Sequence, residues 1–128
     1  SGVMGLSNIS SDMREIEAAI EEGDKKAILT MNVFNYRIKK YIGAYAAALG
    51  GLDILVFTGG VGENQWSTRT EVCRDMEFMG IKLDEAKNDH MRGKEMVIST
   101  PDSKVTVIVV PTDEELTIAK DTLEILSK

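Results

Sequence analysis

Gly59, Gly60 and Gly62 follow the apolar run Ile54-Leu55-Val56-Phe57, and Glu63-Asn64 come directly after them. A short branched run between a Gly-Gly pair and a glycine cluster reads as a buried strand. Ligands of open α/β sheets bind outside the carboxyl ends of strands. Glycine there lets the main chain approach a ligand closely, and a following helix start offers free N–H groups. No Gly-Lys-Ser/Thr follows, so this is not a P-loop. Gly60-Val61-Gly62 also lacks the third glycine of the dinucleotide fingerprint. A tight strand-to-helix turn with no ligand explains the glycines equally well.

A second candidate is Val110-Pro111-Thr112-Asp113-Glu114-Glu115, also at a strand end. Thr112 and Glu115 have capping-box spacing, so capping alone accounts for Glu115. Glu114 has no such necessity beyond a favourable interaction with the helix dipole. A carboxylate at that edge suits Mg²⁺, which takes one or two protein oxygens with waters and phosphates. Acidic first turns are common, so spacing alone favours the structural reading. The third candidate is Asp12-Met13-Arg14, where an arginine one turn into a helix can hold a phosphate or stack on a base. A surface pair between Arg14 and Glu17 is the simpler account.

These residues need elements to position them. A helix is expected over 12–22, with Asp12 as N-cap, Glu15 three residues on and Gly23 as the stop. A long helix is expected over 24–49. Its stripe Ala27, Met31, Phe34, Ile38, Tyr41, Tyr45 and Leu49 steps by threes and fours, and Gly50-Gly51 end it. The strand at 54–57, apolar on both faces, suits a sheet covered by helices. A helix over 67–79 should turn Val72, Met76 and Met79 inward, with Gly80 as its stop. A polar loop over 84–94, strands over 96–99 and 105–110 and a helix over 113–126 complete the chain. The alternation predicts an α/β layer. Two convincing strands and one short one are few for a sheet, which predicts part of a larger domain or pairing with another chain.

The 128 residues carry 15 Lys plus Arg against 21 Asp plus Glu, a net charge of −6. That balance disfavours nucleic acid as a partner. One cysteine, Cys73, excludes an intrachain disulfide and reads as a packed thiol. The single His90 excludes any site needing two histidines from this chain and reads as solvated. No apolar run approaches the ~20 residues that span a bilayer, and no signal-peptide pattern opens the sequence. The expected setting is the cytoplasm. Arg69 and Arg74 read as surface partners of Glu71 and Glu77. Trp66 either borders a bound base or packs at the sheet edge.

Read in order, Ser1-Gly2-Val3-Met4-Gly5-Leu6-Ser7, Ser10-Ser11-Asp12-Met13-Arg14, Tyr36-Arg37-Ile38-Lys39-Lys40-Tyr41-Ile42-Gly43-Ala44-Tyr45, Phe57-Thr58-Gly59-Gly60-Val61-Gly62-Glu63-Asn64 and Pro111-Thr112-Asp113-Glu114-Glu115 resemble the C-terminal portion of the acetate kinase family. Five blocks in register over nearly the whole chain make a specific match. The resemblance implies an α/β fold: part of a ribonuclease H-like (actin-like ATPase) domain, with a central sheet flanked by helices. It implies transfer of the ATP γ-phosphoryl group to acetate, with ATP or ADP and Mg²⁺ as cofactors. It assigns Asp12, Met13, Arg14, Gly60, Val61, Gly62, Glu63 and Asn64 to the nucleotide and Glu114 to the metal. Gly59 stands where many members have Ala, Asp113 where many have Asn, and Met13 where many have Phe or Leu.

The family's catalytic arginines, histidines and aspartate match nothing in these residues, nor does its acetate pocket. Residues 1–128 alone are therefore expected to be the C-terminal portion of a C-terminal domain, inactive without an N-terminal partner domain. The family also implies a homodimer, and an uncovered sheet edge predicts self-association. Propionate or butyrate kinase is the nearest alternative. A non-catalytic nucleotide-binding or dimerisation module is the alternative of another class.

Overall fold

Met13, Ile16 and Ile20 recur at steps of three and four, so coiling this stretch lines them along one edge. In the computed structural model, which describes residues 13–112, the stretch is α1 (Met13–Glu21). The expected N-cap, Asp12, lies outside the described residues. Gly23 at φ +84 reverses the chain, and its N–H donates to the Ile20 carbonyl at 2.9 Å. Asp24 then caps α2 (Lys25–Leu49) by accepting from the Ala27 N–H at 3.0 Å.

The chain divides into two compact units, residues 1–48 and 49–128. The first is centred on Ile16, Ala27 and Met31, with Met13, Ala19, Ile20 and Phe34 packed around them. Each fully buried large aliphatic contributes about 2 kcal/mol. Thr30 is buried too, its hydroxyl donating to the Lys26 carbonyl at 2.7 Å. The expected stripe is buried only in its first turns. Tyr41, Tyr45 and Leu49 are exposed, and the two tyrosine rings stack 6.4 Å apart.

The second unit contains β1 (Ile54–Phe57), α3 (Gly59–Asn64), α4 (Trp66–Cys73), a 3₁₀ turn (Glu77–Met79), α5 (Glu85–Asn88), β2 (Met96–Val97) and β3 (Thr106–Val109). The sheet order is β1-β3-β2. β1 and β3 are parallel, from Ile54 opposite Thr106 to Phe57 opposite Val109. β2 pairs antiparallel on the other side of β3. The expected strand over 96–99 continues past β2 as a single bridge from Ser99 to Leu83.

Two expectations are corrected here. The first concerns the sheet faces. Phe57, Val107 and Val109 are buried, whereas Ile54 is 60% and Val56 47% exposed. The sheet is therefore well covered on one face only. The second concerns the helix expected over 67–79, which stops at Cys73. Arg74 is extended and Asp75 has φ +58, so the chain turns there without a glycine. Val72 and Met76 are still buried, and Met79 is half-buried. The Arg74–Glu71 surface pair is present, with Nη2 to Oε1 at 2.6 Å.

Gly80 closes the 3₁₀ turn in the left-handed region at φ +90. A Cβ built there would stand 2.9 Å from Lys104 Cβ. Strain and contact act together, so Gly80→Ala should lower the unfolding free energy by about 2 kcal/mol. Urea titration should show an earlier midpoint with an unchanged slope. The helix expected over 113–126 lies outside the described residues. Among the described residues no helix is long and apolar enough to cross a membrane.

Candidate functional site

The parallel pair β1 and β3 ends with its two carboxyl termini side by side, laced by the residues just beyond. The Val110 N–H donates to the Phe57 carbonyl at 2.9 Å. The Thr58 hydroxyl returns a bond to the Val110 carbonyl at 2.6 Å. Thr58 occupies the N-cap position of α3 in an extended conformation but makes no side-chain cap, because its hydroxyl is turned to the neighbouring strand. The first N–H groups of a helix have no partner within it.

Gly59 follows at φ +72, a conformation that side chains disfavour. Beside Gly59 and Gly60 a Cβ would meet nothing within 4 Å, so this side of the turn is open. Gly62 is the opposite case. A Cβ there would stand 3.0 Å from the Phe57 carbonyl carbon and 3.3 Å from its Cα. The absent side chain at 62 lets α3 lie against the strand end, and those at 59 and 60 keep its other side clear.

The far end of α3 is held by three bonds. The Val61 carbonyl accepts from the Gln65 N–H at 2.9 Å, and the Glu63 carbonyl from the Gly93 N–H at 2.9 Å. The Gly62 carbonyl accepts from Arg69 Nη1 at 2.9 Å. Arg69 is therefore no surface residue. It is 0% exposed, its other donors reaching Asn88 and the Met91 carbonyl. Burial, followed by the nearby charge of Arg92, lowers its pKa to about 10, so it stays protonated at neutral pH.

Glu63 faces the second strand end. Its Oε2 accepts from the Thr112 N–H at 3.0 Å and the Thr112 hydroxyl at 3.2 Å. The expected capping box assigns the Thr112 N–H to Glu115. In the structure a residue 49 positions earlier accepts from it. This contact joins the glycine turn to Thr112 through one oxygen of the Glu63 carboxylate.

The other sequence-derived candidates belong to other elements. Asp12 and Glu114 lie outside the described residues. Met13 and Arg14 open α1 in the first unit, where Met13 packs on the core and Arg14 is exposed. Gly60, Val61, Gly62, Glu63 and Asn64 form α3 in the second. Trp66 is half-buried, with the His90 ring 4.3 Å from it, and His90 is exposed as expected. A depression of about 690 Å³ is lined by residues between Asp84 and Met96, not by the glycine turn. Among the described residues no three His, Cys, Asp or Glu side chains gather as metal ligands do. Cys73 is buried.

Arg69 and Asn88 are the residues that sequence reasoning missed. One signal could have found the first: Arg69, Val72 and Met76 step by three and four, on the inward stripe of that segment.

The profile of the Acetokinase family matches residues 1–120. The acetate kinase of Parabacteroides distasonis is 75% identical over 128 residues, which is 100% of this chain and 32% of that protein. The crystal structure of Porphyromonas gingivalis acetate kinase superposes with a TM-score of 0.89 at 68% identity, over 98% of this chain and 32% of that one. A propionate kinase from Francisella tularensis gives a TM-score of 0.77 at 34% identity, over 93% of this chain and 30% of that one. The chain thus spans about a third of the length of the curated relatives it matches.

Proposed function

Because the chain belongs to the Acetokinase family, we propose that it supplies the nucleotide-binding part of a kinase acting on acetate. In that reaction a carboxylate oxygen of acetate bonds to the γ-phosphorus of ATP. The bond from that phosphorus to the β-phosphate oxygen breaks, giving acetyl phosphate and ADP. The observation that carries the reading is the glycine turn at the carboxyl end of β1, open beside Gly59 and Gly60. Gly60, Val61, Gly62, Glu63 and Asn64 would line the nucleoside, and the family resemblance assigns Asp12, Met13 and Arg14 to the nucleotide as well. Glu63 would support the turn through Thr112.

Mg²⁺ would be held through Glu114, two residues beyond Thr112 in the sequence, and would supply neutralisation of phosphate charge. No residue of this chain is assigned to the transfer step itself, which relies on positioning and on charge placed around the moving phosphoryl group. Residues 1–128 on their own are accordingly inactive in this reading, and a partner domain completes the site. The reading includes an actin-like ATPase fold, a homodimer and a cytoplasmic, reducing setting. Exposed Tyr36, Tyr41 and Tyr45 and a single buried thiol are in keeping with these.

Propionate is the second reading, favoured by the likeness to a propionate kinase. Acetate is preferred because the identity to a protein named acetate kinase is 75%. The test is acyl phosphate formation by the protein that carries this chain at full length. Acetate should exceed propionate by about 10-fold or more in kcat/KM, as one methylene allows. Equal or reversed preference would move the assignment to propionate, and no product from either would end it.

A further inference from the structure

Arg69 lies 0% exposed in the second unit, where a charged side chain survives only if its donors are satisfied. The partners that hold it are neutral oxygens. Nη1 donates to the Gly62 carbonyl at 2.9 Å, Nε to Asn88 Oδ1 at 2.6 Å, and Nη2 to the Met91 carbonyl. Asn88 is also 0% exposed and is fixed in turn, its Nδ2 donating to the Trp66 carbonyl and the Thr70 hydroxyl, each at 2.9 Å. One guanidinium thus clamps the carbonyl end of α3 to the segment 88–91. The Gly93 N–H donates to the Glu63 carbonyl at 2.9 Å and fastens the same two pieces a second time.

From this we propose that Arg69 is a positioning residue for nucleotide binding: by gripping the Gly62 carbonyl it fixes the orientation of the glycine turn without touching the nucleotide. The inference rests on the nucleotide reading of that turn. A cation is favoured at the carbonyl end of a helix, so the grip is electrostatic as well as geometric. Its opposite end, at Gly59 and Gly60, is the open one. The turn has no side chains of its own at 59, 60 and 62 to wedge it in place, so its aim must be set from behind. Lysine cannot substitute, because a single ammonium does not span three acceptors lying in different directions, as the planar fork does.

The test uses the protein carrying this chain at full length, with Arg69→Lys as the variant. Its fold is checked by circular dichroism and thermal melting. Steady-state kinetics then give KM for MgATP and for the carboxylate acceptor separately, and calorimetry gives the ADP affinity. A folded Arg69→Lys should raise the MgATP KM by about 10-fold and weaken ADP equally, leaving the acceptor KM within about twofold. With kcat unchanged, that rise is the mark of lost uniform binding. A folded variant whose nucleotide affinities stay within about twofold of the parent overturns the proposal, as does an equal rise in both KM values. If Arg69→Lys does not fold, Asn88→Ser takes its place. It slackens the Nε anchor while leaving the guanidinium, and should weaken ADP by about threefold. Unchanged ADP affinity in it also overturns the proposal. Gly62→Val separates the two claims: if it leaves nucleotide affinity intact, the reading of the turn fails. If it removes affinity while Arg69→Lys does not, only the role of Arg69 fails.

Discussion

Gly62→Val should remove detectable nucleotide binding, a loss of at least 100-fold in ATP affinity. The argument is steric and needs no ligand contact from residue 62. A Cβ alone would stand 3.0 Å from the Phe57 carbonyl carbon and 3.5 Å from Phe57 Cβ. The first of these is main chain at the end of a paired strand, which is held by Val110 and cannot swing aside as a flexible side chain could. The two γ-methyls of valine add to the clash, and the residue at 62 must move outward, taking its carbonyl off Arg69. Overpacking of this kind costs about 1–3 kcal/mol in a packed site. The larger effect is on the turn, since main-chain recognition depends on placement to within about half an ångström. Gly62→Ala should be intermediate, with ATP affinity reduced about 10-fold. Gly60→Ala is the contrast: a Cβ there meets nothing within 4 Å, so the fold should be unchanged and any loss of affinity would come from a methyl on the ligand side. Calorimetric titration with MgATP reads all three. Equal affinity in Gly62→Val and the parent would remove the turn from the site.

How much of this was legible in the sequence depends on what kind of partner each residue has. The helix α1 and the ends of α2 were readable, because Glu15 and Gly23 mark the limits of the first and Gly23 and Gly50 stand at positive φ. The far half of the α2 stripe has the same period, yet Tyr45 is 64% exposed. Periodicity marks a face and does not say what covers it. The strand at 54–57 was readable from branched side chains, but a wholly apolar run cannot reveal that Ile54 and Val56 face outward. The break after Cys73 had no mark, since the left-handed residue is Asp75 and not a glycine.

The site divides in the same way. Spacing found the glycine turn, and its open and closed sides came only from the distances around Gly60 and Gly62. Glu63 was legible as part of the turn, whereas the bonds of its carboxylate to Thr112, 49 residues on, were not. Arg69 looked like half of a surface pair because Glu71 and Glu77 lie on the same segment. Its actual partners include the carbonyls of Gly62 and Met91. Every residue carries a carbonyl, so no sequence pattern announces which ones an arginine will reach.

Asn88→Ala should be strongly destabilising, lowering the unfolding free energy by about 4 kcal/mol. Asn88 sits at the end of α5, a four-residue helix, and is 0% exposed. Its side-chain oxygen takes the Nε donor of Arg69, and its amide satisfies the Trp66 carbonyl and the Thr70 hydroxyl. Alanine removes all three bonds and leaves the Nε–H and the Trp66 carbonyl without those partners in the interior. Each stranded group costs about 1–3 kcal/mol, more when it is charged, and the vacated volume adds to the loss. Thr70→Val gives the internal control. It breaks the outermost of these bonds and the exposed 3.3 Å bond from the Thr70 hydroxyl to Glu85, at a half-buried residue, and should cost about 1 kcal/mol. Because Arg69 and Asn88 hold each other, the double variant Arg69→Met with Asn88→Ala should cost less than the two single changes added together. Once one partner is gone, the second removal strands fewer groups. Denaturant titration of the four proteins closes the cycle. Strict additivity, or an Asn88→Ala loss no greater than that of Thr70→Val, would mean that the bracket behind the glycine turn is not the cooperative unit its hydrogen bonds describe.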